Sequence, residues 1–172
     1  AGTAPRGIAR VTIGAPPPRR VPKAPPPTSE GASAAMRGNK RAGTRPEMMV
    51  RRLLHRLGYR YRLQASDLPG KPDIVFRRHK VAILVNGCFW HQHDDPCCPL
   101  RAKPRSNTGY WDAKLARNVQ RDTETRAALE ALGWRLLIVW ECETRDAKRV
   151  EARLTTELGA TPGPCPRSRG IS

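Results

Sequence analysis

Trp134-Arg135-Leu136-Leu137-Ile138-Val139-Trp140 reads as a buried strand: a short run of aromatic, branched and aliphatic side chains beginning just after Gly133. An earlier run, Val81-Ala82-Ile83-Leu84-Val85, is apolar throughout, as expected of a strand covered on both faces. Between them Tyr110 to Leu132 has helical spacing, with Trp111, Leu115, Val119, Leu129 and Leu132 on one side and Gly133 as the stop. A strand, helix, strand order of this kind favours a right-handed parallel crossover.

Working outward, Asp73-Ile74-Val75-Phe76 is a short strand joined to Val81–Val85 at Arg77-Arg78-His79-Lys80, which suggests a hairpin. Tyr59 to Leu63 alternates and reads as another strand, followed by a turn at Asp67-Leu68-Pro69-Gly70-Lys71-Pro72. Upstream, Thr44-Arg45-Pro46-Glu47 has the form of a capping box with proline in the first turn. The helix it opens carries Val50, Leu53, Leu54 and Leu57 on an inward face, places Arg51, Arg52 and Arg56 outward, and stops at Gly58. Ala147, Val150, Leu154 and Leu158 mark a last amphipathic helix. The order predicts an α/β fold, a mixed sheet flanked by helices.

The 172 residues suit one domain with tails. Residues 1–34, rich in proline and poor in large apolar side chains, read as a disordered basic tail, residues 35–158 as the folded domain, and residues 159–172 as a flexible C-terminal tail. A formal net charge of +17 argues against an ordinary small-molecule enzyme and for a polyanionic partner. With no long apolar segment and no secretory leader pattern, a cytoplasmic or nucleoid protein with no membrane role is expected. Five cysteines, an odd number, point to metal or buried thiols rather than disulfides, and the adjacent Cys97 and Cys98 are poorly placed to pair with each other.

The densest chemistry lies in Asn86-Gly87-Cys88-Phe89-Trp90-His91-Gln92-His93. Cys88, His93, the Cys97-Cys98 pair and Cys142 form a candidate structural zinc set, provided that the two apolar strands lie together and bring Cys142 to this loop. Cys165 reads as a bystander. Asp73, fixed after a rigid turn, suits Mg²⁺, a hard ion that takes few protein oxygens, and His91, held near the zinc, suits proton transfer from an attacking water. On spacing alone Asp73 is equally a turn residue, and Glu47 is first a capping partner. Phe89, Trp90 and Trp111 either pack around the zinc or wedge between bases; Met36 is either another wedge or a tail residue.

Pro46-Glu47, Leu68-Pro69-Gly70-Lys71-Pro72-Asp73-Ile74-Val75, Asn86 to His93, Tyr110-Trp111, Lys114, Asn118-Val119-Gln120-Arg121-Asp122 and Leu132 to Cys142 resemble, in order and spacing, the very short patch repair (Vsr) endonucleases. The resemblance implies a restriction-endonuclease-like fold with a structural zinc. It implies Mg²⁺-dependent nicking of one DNA strand 5′ of the T in a T:G mismatch left by deamination of 5-methylcytosine. It makes Asp73 the Mg²⁺ ligand with the backbone carbonyl of Val85, His91 the catalytic histidine and Glu47 a supporting acid. Cys88, His93, Cys98 and Cys142 become the zinc ligands, with Cys97 as the alternative to Cys98, and Met36, Phe89, Trp90 and Trp111 the DNA wedge. Asn86 and Val85 stand where the family commonly has histidine and threonine. The implied partners are mismatched duplex DNA, a cytosine-5 DNA methyltransferase in functional association and mismatch-repair proteins, with the enzyme a monomer. The rival readings are a non-catalytic zinc-containing binder of distorted duplex and a restriction-type nuclease of the same fold.

Overall fold

The computed structural model describes residues 23–26 and 42–159. The expected N-terminal tail apart from residues 23–26, Met36, and the C-terminal tail beyond Gly159 with Cys165 lie outside the described residues.

Helix α1 (Arg45–Arg56) opens with the expected capping box: the Thr44 hydroxyl accepts from the Glu47 amide, and the Glu47 carboxylate accepts from the Thr44 amide. Strands β1 (Arg62–Leu63), β2 (Ile74–Phe76) and β3 (Val81–Asn86) follow, then helix α2 (Thr108–Ala131), strand β4 (Arg135–Trp140) and helix α3 (Ala147–Leu158). The sheet runs β1-β2-β3-β4, antiparallel as far as β3, and β3 pairs with β4 in parallel from Val81 opposite Arg135 to Asn86 opposite Trp140. The mixed sheet, the hairpin and the parallel pair are those that the apolar runs imply.

Alternation along the strands divides the core in two. Ile74, Phe76, Val81, Ile83, Leu137 and Val139 pack with Val50, Leu53 and Leu54 of α1 and Val150 and Leu154 of α3. Val75 and Ala82 point the other way, onto Leu129 of α2 with Ala65 and Leu68, and Trp134 and Leu136 join them. Helices therefore flank both faces. No helix among the described residues is long and apolar enough to cross a membrane.

Three local expectations are corrected. The Tyr59–Leu63 strand shrinks to Arg62–Leu63, because the Tyr59 amide bonds back to the Leu54 carbonyl and its ring is drawn into the core against Phe76. Helix α2 does not bury a continuous apolar stripe: Leu115 and Leu129 are inside, whereas Val119 and Leu132 are 40% and 51% exposed. Its inner face runs through Leu115, Asn118, Asp122, Thr125 and Leu129, and three of these are polar: Asn118 and Asp122 reach the loop after β3, and Thr125 meets Gly70. Finally, Arg51 is not a solvated outward residue but lies against Glu47 with 14% of its side chain exposed.

One glycine sets the approach to the site. Gly70 has φ +70°, and a Cβ there would meet Thr125 Cγ2 of α2 at 2.3 Å. Only glycine satisfies both the left-handed backbone and that close approach. The turn it permits ends at Pro72 and delivers Asp73 to the start of β2.

Candidate active site and metal centre

Because β3 and β4 run in parallel and in step, the residues just beyond them emerge at one end of the sheet. Cys88 follows β3 and Cys142 follows β4; the Cys142 amide donates to Cys88 Sγ at 3.4 Å. The loop after β3 then coils tightly, with the His91 amide on the Gly87 carbonyl and the His93 amide on the Cys88 carbonyl. This turns His93 inward, Nδ1 3.5 Å from Cys142 Sγ, with its ring stacked on Trp140 at 4.3 Å. Cys98 is buried and completes the group, whereas Cys97 is exposed. The ligand atoms of Cys88, His93, Cys98 and Cys142 all lie within 4.8 Å of one another.

Three sulfurs and one imidazole gathered so closely can hold a metal such as zinc. Burial pushes the Cys88 thiol up to about 12, and burial also raises that of Cys142, while hydrogen bonding with His93 draws Cys98 down to about 7. Thiols crowded in this way need a cation to ionise together, and that chemistry fits zinc.

The acidic end of the site lies beside this centre. The Asp73 carboxylate accepts from the Val85 amide at 2.8 Å through Oδ2. Successive carbonyls of a strand point to opposite sides, and that of Asn86 faces β4, where it accepts from the Glu141 amide. The Val85 carbonyl therefore faces the Asp73 side. Burial raises the Asp73 pKa, the Val85 hydrogen bond opposes that rise, the negative charge of Glu47 adds to it, and Arg51 and His91 act against it. A half-buried carboxylate beside a second acid, with one oxygen tied to the backbone, has the chemistry of a divalent-cation ligand.

His91 projects from the loop between two members of the sulfur cluster, and its Nδ1 lies 2.6 Å from Asp122 Oδ2 of α2. Asp122 accepts the Nδ1 proton, which leaves Nε2 as the basic nitrogen. Nearby, Phe89, Trp90 and Trp111 form a part-exposed aromatic group with ring centroids 4.9 to 6.1 Å apart. The Asn118 amide donates to the Trp90 carbonyl at 3.0 Å and anchors α2 to the loop.

Known proteins resemble this chain. A family model described as DNA mismatch endonuclease Vsr matches residues 27–97. The DNA mismatch endonuclease Vsr of Escherichia coli K12 is 38% identical over 125 residues, 73% of this chain and 78% of that protein. The type II nicking enzyme V.XorIIP of Xanthomonas oryzae pv. oryzae is 49% identical over 115 residues, 67% of this chain and 82% of the relative. This chain belongs to the Vsr family. A third relative, the type II nicking enzyme V.NaeI of Lentzea aerocolonigenes, is 46% identical over 125 residues, 69% of this chain and 72% of its own length.

Within this Vsr-family chain, Cys88, His93, Cys98 and Cys142 form one cluster, Phe89, Trp90 and Trp111 another, and the charges of Glu47 and His91 act on Asp73, whereas Cys97 stays outside the sulfur cluster. The structure adds others that sequence reasoning did not single out as site residues. Asp122 and Arg51 are two; polar residues on an amphipathic helix ordinarily read as its solvated side. Lys114 is a third, with Nζ 5.2 to 5.5 Å from the ring centroids of Trp90, Tyr110 and Trp111 and bonded to the Tyr110 hydroxyl. The available signal was spacing: Trp111, Lys114, Asn118 and Asp122 recur at three and four residues.

Proposed function

We propose that this protein hydrolyses one phosphodiester bond 5′ of the T in a T:G mismatch, in duplex DNA damaged by deamination of 5-methylcytosine. The observation that carries the reading is the His91–Asp122 pair, whose His91 directly follows Phe89 and Trp90 in the chain and lies near enough for its charge to act on Asp73. Chemistry on a backbone phosphate and a surface suited to opening a base step are adjacent. The fold that this reading implies is restriction-endonuclease-like, with catalytic groups at the end of a mixed sheet.

The aromatic group inserts beside the mismatch, where unstacking costs a few kcal/mol and a mismatched pair lowers that cost. Asp73 and the Val85 carbonyl are the groups that would hold Mg²⁺. When bound, Mg²⁺ neutralises charge on the scissile phosphate and makes water a better nucleophile. His91 Nε2 takes the proton of the attacking water, while Asp122 holds the ring and stabilises its charged form. Cys88, His93, Cys98 and Cys142 are the groups that would hold zinc, and so held they would fix the loop that carries Phe89, Trp90 and His91. The surplus of basic residues supplies sequence-independent attraction to DNA. A cytosine-5 methyltransferase is the functional companion in this reading, mismatch-repair proteins are further partners, and a monomer acting at the nucleoid suits a single asymmetric lesion.

The test uses end-labelled duplexes that differ only in a T:G or T:A pair, in several flanking contexts, with Mg²⁺ or EDTA. A Mg²⁺-dependent nick beside the mismatched T, in that strand alone, is expected. Tight binding with no cut in any context would replace the enzyme with a non-catalytic binder of distorted duplex. Cutting of both strands would make it a restriction-type nuclease.

Asp122 provides a narrower prediction. Asp122→Asn keeps the side-chain shape and removes the charge, so His91 loses the partner that stabilises its protonated ring. Single-turnover nicking should fall by about 10²-fold, at the lower end of the contribution of acid–base groups. Binding of T:G duplex should change little. An unchanged rate would take Asp122 out of the mechanism.

A further inference from the structure

Gln92 holds a backbone conformation that disfavours its own side chain. Its φ is +48°, in the left-handed region that suits glycine, and among the described residues it is the one non-glycine residue of the loop 87–105 with positive φ. The residues before it form a single helical turn, which Gln92 ends in the manner of a left-handed C-terminal cap. The His91 amide bonds to the Gly87 carbonyl, and the His93 amide reaches back to the Cys88 carbonyl at 3.0 Å. The left-handed residue parts two histidines that are neighbours in the chain. His91 goes to Asp122 of α2, and His93 goes to Trp140 and Cys142 at the end of β4.

Stability does not account for glutamine at this position, since glycine takes such a backbone freely. The side chain has a task of its own: Gln92 Nε2 donates to the Phe89 carbonyl at 2.6 Å. The next carbonyl, that of Trp90, takes the side-chain amide of Asn118 at 3.0 Å. All four carbonyls from Gly87 to Trp90 therefore have a donor, the first two from backbone amides and the last two from side-chain amides. Gln92 is half-buried and lines the groove between this turn and α2, with Leu115, Ala116 and Val119. Both aromatic residues of the turn are thus tied by their backbones, Phe89 from within the loop and Trp90 from the helix. A group that enters a stacked duplex is pushed back by the bases it parts. A turn with a loose Phe89 carbonyl would yield in place of the base step.

We propose that Gln92 is a positioning residue for the aromatic wedge: its amide braces the Phe89 carbonyl, so that Phe89 and Trp90 open the base step instead of folding back. This rests on the reading of the aromatic group as a wedge at a T:G mismatch. Gln92 acts through Phe89 and needs to touch neither the DNA nor a metal.

The experiment follows base opening and nicking separately. A 2-aminopurine base, which brightens when unstacked, is placed beside the mismatch in a T:G duplex, and the full zinc-loaded chain is added to saturation without Mg²⁺. Gln92→Met keeps the length and the strain but loses the donor, Gln92→Gly relieves the strain and loses the donor, and Gln92→Lys keeps a donor. Gln92→Met and Gln92→Gly should retain zinc and affinity for T:G duplex. Their fluorescence rise should fall about twofold and their single-turnover nicking in Mg²⁺ about tenfold, short of the roughly 10²-fold that a misplacement of about 1 Å can cost. Gln92→Lys should keep both near the wild-type level. Full opening in both donor-less variants, loss of zinc in both, or a fall in Gln92→Lys as deep as in Gln92→Met would overturn the proposal. No fluorescence rise in the wild type would remove the wedge reading itself, and the proposal with it.

Discussion

Asp73→Ala is expected to lower the nicking rate by at least about 10³-fold, the scale on which a main electrostatic contact to a reacting group is felt. Affinity for mismatched duplex should remain within a few-fold. The separation follows from geometry: Asp73 sits at the start of β2, tied to the Val85 amide, and the groups suited to grip DNA lie elsewhere, on the Phe89–Trp90 turn and α2. The same variant should not destabilise the protein. Burial and the nearby Glu47 raise the Asp73 pKa, so holding it ionised costs the folded state. That cost is absent below the ordinary carboxylate range, where the acid is protonated folded or unfolded, and is complete above the raised value. At neutral pH, therefore, Asp73→Ala should melt at or above the wild-type temperature, apart from the loss of the Val85 hydrogen bond. Lost nicking together with a large fall in melting temperature would make Asp73 structural, and undiminished nicking would remove it from the chemistry.

That combination, a residue costly to the fold and necessary to the reaction, explains which parts of the molecule were legible in the sequence. Val81–Val85 and Trp134–Trp140 could be read because strands covered on both faces have no polar side to hide. Their parallel pairing carried the further expectation that Cys142 would return to Cys88, since the two strands end together. Helix α2 was harder. Its inward face includes Asn118 and Asp122, which an amphipathic pattern assigns to solvent, and Val119, which the pattern assigns to the core, is exposed. Arg51 was misplaced for the same reason: charge on a helix reads as outward unless its partner is known, and Glu47 was already accounted for by the capping box. Both errors fall at the site, where local rules yield to chemistry. The choice between Cys97 and Cys98 depended on how the loop coils after His93, which spacing alone leaves open; in the structure only Cys98 joins the cluster.

Cys98→Ser should release the zinc and Cys97→Ser should not, and the consequences should reach well beyond the metal. Neither core cluster includes a residue of the loop from Gly87 to Arg105, whose buried residues are Cys88, His93 and Cys98, all members of the sulfur cluster. Metal ligation at that cluster would supply the loop's folding free energy. Losing a metal belongs among the few changes that exceed about 4 kcal/mol, and for a domain of this size that corresponds to a fall in melting temperature of roughly 10–20 °C. The two cores should survive at 25 °C, so far-UV circular dichroism should keep its helical signal. The near-UV signal should fall to that of Trp134, Tyr59 and Tyr61 in the cores, because Trp90 of the loop meets Trp111 of α2 and Trp140 stacks on His93. Nicking should disappear with it, since Phe89, Trp90 and His91 all lie between Cys88 and His93. The matching measurement is metal content by a colorimetric chelator, taken alongside both spectra for wild type, Cys97→Ser and Cys98→Ser. Zinc retained in Cys98→Ser with an intact near-UV signal would remove Cys98 from the ligand set. Zinc lost with the near-UV signal unchanged would mean that the loop is held by its own hydrogen bonds, and the link from metal to active site would fail.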